Sequence, residues 1–507
     1  MDSSSPAYDY CTRKHISHLV PKTRWGIIAI TVAVSLIEPT TTGMESSIMG
    51  AINSLPQYKS YFDLKDHTIG LNSAAVWIGL CLTLPFVQQM CDGLGRRKTI
   101  FYSLALMVTG IVLSSCSVHI AMFVIGRIVL GMSSGIFGSA ASVLVAEVCP
   151  PKHRGLILGL FHSGYYIGSL LSSAITYGTR DMANDWSWRV PLICQIVPTI
   201  ICFTVILFAP ESPRWLVMHG KEDEAREIFY ILEGGDTARA ESLIKEVHES
   251  VTKESIVAKG LGLWRRQFST KANLRRAFIL LNVGILCELG GSNIATYYFN
   301  ILLSSVGVTN VRTQLEVSMI RSAWCLVCSL AGCYTFDIIG RKKQAFIATT
   351  GLIVCLYILG GLVKKFQEDG KTSTGYGAIA LMFLFTGFYS YCYTPLLYLY
   401  APELYTNPSR SVGNTILKAC DYFSGLFATF VLPIGMSNLT WKFYMITASY
   451  DMIFLPFIAF TWVETKGVPL EKICELFDDD PGTLDWQEPQ LESGVEYVTV
   501  DISDKKK

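Results

Sequence analysis

The sequence predicts an all-α polytopic membrane protein: twelve transmembrane helices in two pseudo-symmetric six-helix bundles. Three observations predict it. Half of the 507 residues are hydrophobic and only 16% are charged, against about 25% charged in an ordinary soluble domain; mean hydropathy is +0.37. The shortage of charge extends over the whole chain, which argues against a soluble domain with a single anchor. Apolar runs of about 20 residues, the length that crosses a bilayer, recur from end to end. Finally, CDGLGRRK at Cys91–Lys98 returns as FDIIGRKK at Phe336–Lys343, displaced by 245 residues, each copy lying between two apolar runs.

Taken in order, residues 1–23 are Ser-, Tyr- and Lys-rich and read as a cytoplasmic tail without the apolar core of a signal peptide. Six spans follow in a first bundle, residues 24–209, at about 25–49, 69–90, 99–117, 120–144, 156–177 and 190–208. Residues 210–275 form a polar cytoplasmic linker in which KEDEAREIFYILEG reads as an amphipathic helix. A second bundle, residues 276–463, carries spans at about 277–303, 314–335, 345–363, 376–400, 412–433 and 441–462. Residues 464–507 are an acidic cytoplasmic tail. The runs do not alternate polar and apolar residues, which excludes barrel strands. Pro39 and Gly43 in the first span, Gly290-Gly291 in the seventh and Thr394-Pro395 in the tenth are expected to interrupt or bend their helices.

Basic residues crowd the even-numbered turns (Arg96, Arg97 and Lys98; Lys152 and Arg154; the linker; Arg341, Lys342 and Lys343; Arg410), so both termini are expected in the cytoplasm. That orientation makes Asn438-Leu-Thr440 an external glycosylation sequon close to the membrane. Matching acids accompany the arginines in both halves: Asp92 and Asp337, Glu147 and Glu403, then Glu211 of PESPRWL, which also holds Arg214, and Glu464 of VETKG. A lone RR is ordinary positive-inside topology. Its repetition with matching acids points to ion pairs that close the cytoplasmic face and part when that face opens.

Net charge is +1, which argues against a nucleic-acid partner. The 15 cysteines lie mostly inside apolar runs and suggest neither a disulfide framework nor a zinc site. No GxxxxGK[ST] loop supports ATP drive and no nucleophile elbow supports an enzyme. No cofactor or metal is expected. The expected partners are a small-molecule substrate, the proton and the lipid bilayer, for a monomer in the plasma membrane.

From D-x-x-G-R-R at Asp92–Arg97, Gly126-Arg127, E-V-C-P-P-K-H-R-G at Glu147–Gly155, PESPRWL, Tyr297-Tyr298, D-x-x-G-R-K at Asp337–Lys342, the Glu403/Arg410 pair and E-T-K-G at Glu464–Gly467, the chain resembles the sugar porters of the major facilitator superfamily (MFS) over about residues 20–480. INSLPQYKSYF and YGTRDMANDWSWRVP are similar to the fungal lactose-permease-like branch. The resemblance implies the twelve-helix MFS fold, alternating access and proton-coupled sugar uptake.

Glu45 is a carboxylate inside the first span, which is costly and usually functional. The resemblance makes Arg127 its partner in proton coupling, although Met44 and Glu45 depart from the family's Gly-Tyr-Asp. Glu38 is a rival. Carried over from the family, the substrate positions are His162 where an amide is usual, Glu288 where Gln is expected, Asn293, Tyr297, Tyr298, Tyr398 where Trp is frequent, and Lys418 and Asp421 at positions that are normally uncharged. Arg321 adds a charge in the eighth span. Two readings of this load stay open. Lys418 pairs with Asp421 along one helix face and Glu288 with Arg321 across two spans, or the cavity takes something other than a plain hexose, such as an acidic or amino sugar, a glycoside or a polyhydroxylated metabolite. The function expected is a proton-coupled secondary transporter. A facilitator, an exporter of a non-sugar metabolite and a sugar sensor are the alternatives.

Overall fold

The computed structural model describes residues 16–64, 66–149, 161–182, 184–257, 268–297, 299–405, 410–466 and residue 477. Among them, ten helices are long and apolar enough to cross a membrane, and Thr68–Thr83 with Val87–Leu94 makes an eleventh, bent by 55°. The twelfth is described only from Gly164.

In chain order the spans are α1 (Arg24–Ile52), α2 (Asp66–Thr83, continuing as Val87–Leu94), α3 (Arg96–Ser115), α4 (Ile120–Val148), α5 (Gly164–Thr179) and α6 (Trp186–Cys194 and Ile196–Val205). The second set is α7 (Lys271–Leu289, then Ser292–Tyr297 and Phe299–Ser305), α8 (Val311–Ile339), α9 (Arg341–Asp369), α10 (Thr372–Leu404), α11 (Arg410–Leu439) and α12 (Trp441–Phe460).

Packing repeats between the halves. The partners α1–α5, α2–α4 and α3–α4 are matched by α7–α11, α8–α10 and α9–α10. Small residues permit this: a Cβ on Gly168 of α5 would collide with the Thr40 carbonyl of α1, the close backbone approach that glycine allows between membrane helices. The halves meet along α2–α11 and α5–α8. At the end away from the Arg96 and Arg341 clusters, Asn300 beyond the α7 break donates to the Gly50 carbonyl of α1 at 2.7 Å.

Gly290-Gly291 does break α7, and Gly291 takes φ +93°. The expected interruptions at Pro39 and Pro395 are corrected: α1 and α10 run through both as continuous helix, as proline allows where neighbouring groups re-satisfy the freed carbonyl in a membrane bundle. After α6 the amphipathic segment forms a helix, Glu222–Leu232, that buries Ala225, Ile228, Phe229, Ile231 and Leu232 against the core of the first half.

Candidate functional site

A central cavity with about 130 Å³ of water-accessible space is walled by both halves: α1, α2, α4 and α5 on one side, α7, α8, α10 and α11 on the other. His162, Glu288, Asn293, Tyr297, Tyr398 and Asp421 all line it, as do Glu38 and Arg321. Lys418 is not among the lining residues; its Nζ reaches out of the second half to donate to Ser139 Oγ of α4 at 2.9 Å. Tyr298 and Arg154 lie outside the described residues, and the Arg410 side chain is likewise not described.

The break in α7 shapes one wall. It leaves Asn293 Nδ2 free to turn back and donate to Glu288 Oε2 at 2.8 Å. The Glu288 carboxyl also lies within hydrogen-bonding reach of Asp421 on α11. The opposite wall is aromatic and hydroxylic. His162 lies against Tyr398, ring centroids 4.8 Å apart, with its Nδ1 buried and without a partner among the described residues. Across the halves, Ser169 bonds Ser322 at 2.8 Å, Ser163 bonds Ser329 at 2.8 Å and Tyr166 bonds Thr394 at 2.8 Å.

Three expected pairings take another form. Glu288 does not reach Arg321, because Asn293 and Asp421 occupy it; Arg321 instead lies 5.0 Å from the Phe299 ring. Lys418 does not reach Asp421, because its side chain runs to Ser139 and faces Glu38 of α1. Arg127, fully buried, donates through Nη2 to the backbone carbonyl of Glu45 at 3.0 Å. The Glu45 carboxylate accepts from Ser134 Oγ at 2.5 Å, and its Oε1 has no partner among the described residues. Neither Glu45 nor Arg127 lines the cavity; Ser46 and Ser134, next to them, do.

The charged clusters are built twice. Arg96 Nε pairs with Glu147 at 3.0 Å and Arg96 Nη2 with Asp92 at 3.6 Å. Arg341 Nη2 pairs with Glu403 at 2.7 Å and Nη1 with Asp337 at 2.9 Å. Each guanidinium also donates to a carbonyl five residues back, Cys91 and Phe336, both at 3.2 Å. Glu211 accepts the amides of Arg96 and Arg97; Glu464 accepts those of Arg341 and Lys342. Gly95 and Gly340 precede these helices at φ +91° and +99°, and a Cβ at either would run into the capping carboxylate. Burial pushes the Glu211 carboxyl above its ordinary range, against the pull of the Ser212, Arg97 and Arg96 amides. All these bridges lie within one half.

The family model described as "Sugar (and other) transporter" matches residues 30–477. The chain belongs to that family. An MFS-type transporter of Aspergillus cristatus is 30% identical over 444 residues, covering 86% of this chain and 90% of the relative. A high-affinity glucose transporter of Kluyveromyces lactis is 26% identical over 468 residues (88% and 84%), and a quinate permease of Neurospora terricola 27% over 477 (89% and 88%). Among solved structures, the proton:xylose symporter XylE bound to 6-bromo-6-deoxy-D-glucose aligns at TM-score 0.76 with 19% identity, over 90% of this chain and all of that one. Inward-open XylE from E. coli aligns at 0.71 with 20% identity, over 89% and 99%. These structures carry the twelve-helix MFS fold. The protein is a multi-pass membrane transporter and not an enzyme.

This transporter holds one more buried acid that sequence reasoning missed. Asp451 of α12 is fully buried, both carboxyl oxygens without a hydrogen-bond partner among the described residues, and its Oδ1 lies 3.8 Å from where a Cβ on Gly290 would stand at the α7 break. Its signal was plain: a lone acid inside the twelfth apolar run. Tyr165, Tyr166 and Tyr389 also line the cavity and were hidden among the many aromatics of the spans.

Proposed function

We propose that this transporter carries a sugar or sugar-like polyhydroxylated solute across the plasma membrane by alternating access, in symport with protons, as a monomer. The observation that carries the reading is the cavity walled by both halves and furnished with hydroxyl, amide and carboxyl side chains among its aromatics, with a buried, half-partnered carboxylate, Glu45, one residue from its lining. Hydroxyls and amides suit a ligand rich in hydroxyls because they both donate and accept; Tyr398, Tyr389 and Trp77 offer faces for its C–H surface. A proton taken up by Glu45 removes a charge beside Arg127 and so changes which end opens more readily. The names of the relatives, a glucose transporter and a quinate permease, and of the structural neighbour, a proton:xylose symporter, support this range of solutes and the coupling.

In this reading bundles 24–209 and 276–463 rock about the cavity, joined by the cytoplasmic linker 210–275, with tails 1–23 and 464–507 also cytoplasmic. The clusters of Asp92, Arg96, Arg97, Glu147, Arg154, Glu211, Arg214, Asp337, Arg341, Glu403, Arg410 and Glu464 then face the cytoplasm and keep each half rigid where the inner gate forms.

The test is uptake in transport-deficient cells with and without a proton uncoupler, for wild type and Glu45→Gln. Symport predicts that the uncoupler abolishes accumulation and that the variant keeps exchange while losing accumulation. Concentrative uptake unchanged in Glu45→Gln removes Glu45 from the mechanism. A facilitator is the second reading, favoured by the lack of direct contact between the Glu45 carboxylate and the Arg127 guanidinium, which meets the carbonyl instead.

A further inference from the structure

The cavity contains a cation that no acid of the chain answers among the described residues. Arg321 lines the wall from α8 and is 7% exposed. Among the described residues its Nε is buried without a hydrogen-bond partner, and its guanidinium lies over the Phe299 ring. The cavity acids are committed elsewhere: Glu288 to Asn293 and Asp421, and Glu38 to Thr42, facing Lys418. Glu45, just behind the wall, is held by Ser134. A guanidinium removed from water without an anion is strongly unfavourable, and intramembrane charges pair or mark a substrate path. Free acceptors face the same space, since Asp421 Oδ1 and Glu38 Oε2 have no partner, and they suit the hydroxyl hydrogens of a ligand.

We infer that Arg321 anchors a carboxylate of the transported solute, so that the substrate is a polyhydroxylated carboxylic acid, a sugar acid or cyclic polyol acid, with its hydroxyls toward Asn293, Asp421 and Glu38. The planar guanidinium fork matches a carboxylate in two parallel hydrogen bonds. A neutral sugar leaves it unanswered. This inference rests on the transport reading above and names its substrate class.

The experiment is uptake of labelled glucose, glucuronate and quinate by proteoliposomes holding the full chain, with competition by each acid, its uncharged methyl ester, and glucose 6-phosphate. In wild type, each acid is expected to compete at concentrations about tenfold or more below its ester, the size of one charge-assisted hydrogen-bond pair. R321Q is expected to abolish that difference, and R321K to retain part of it. The acid–ester comparison on wild type needs no variant to fold. The inference is overturned if ester and acid compete equally, if glucose moves while neither acid moves or competes, if glucose 6-phosphate competes best, or if folded R321Q keeps the preference. In those cases the transporter reading stands. Failure of every probe to move overturns both.

Discussion

Glu211 caps the helix that Arg96 begins: its Oε1 accepts the Arg96 amide at 2.8 Å, and the same carboxylate accepts the Arg97 amide at 3.2 Å. Glu464 stands in the same relation to Arg341 and Lys342, at 2.8 and 3.2 Å. The motif glutamates that close each half of the sequence thus tie the end of that half to the start of its third helix. A carboxylate there answers two of the orphan amides and the positive end of the helix dipole.

Glu211→Ala and Glu464→Ala are therefore each expected to lower stability by about 1–3 kcal/mol. Thermal denaturation of the detergent-purified protein measures this. Unchanged melting in both variants contradicts the capping role.

Arg341 holds Glu403 through two nitrogens, at 2.7 and 3.1 Å, together with Asp337 and the Phe336 carbonyl. Lysine keeps the charge but not the fork, so Arg341→Lys is expected to cost about 1–3 kcal/mol. Arg97, whose half-exposed guanidinium donates to the carbonyls of Ile206 and Leu207, is expected to cost about 1 kcal/mol or less when changed to Ala. The order of the two melting temperatures is the check, and the reverse order counts against it.

Glu288 and Asp421 act as one unit if they share a proton. Glu288→Gln and Asp421→Asn should then reduce uptake to similar degrees, and the double variant should be no worse than either single, a coupling of about 0.5–3 kcal/mol. Additive losses in initial uptake rates would show two independent groups.

Asp451 carries a desolvated carboxyl that no side chain answers among the described residues. Asp451→Asn removes that burden and is expected to raise the melting temperature while uptake persists. A lowered melting temperature contradicts this.

Much of the architecture was legible because charge is rare on an apolar background. Asp92-Arg96 and Asp337-Arg341 stood out as a repeat, and each became the same cluster in its half. The α7 break was legible in Gly290-Gly291, where the backbone needs a left-handed residue. What stayed hidden depends on the direction of side chains across helices. Sequence separation suggested Lys418 with Asp421, but the long lysine reaches the other half at Ser139. Glu288 and Arg321 occupy the same cavity without meeting, because Asn293 folds back from the break. Asp451 was overlooked although its run announced it.

The seam along α5 has an energetic meaning. Among the described residues, no guanidinium–carboxylate pair joins the two halves; α5 instead meets α8 and α10 through Ser169–Ser322, Ser163–Ser329 and Tyr166–Thr394, and at its far end Tyr177 donates to the Glu316 carboxylate. Neutral contacts of this kind are worth roughly 0.6–1 kcal/mol apiece within a bilayer. Prying this seam apart thus parts no guanidinium from a carboxylate; opposite charges face one another across the halves elsewhere, at Lys418 and Glu38.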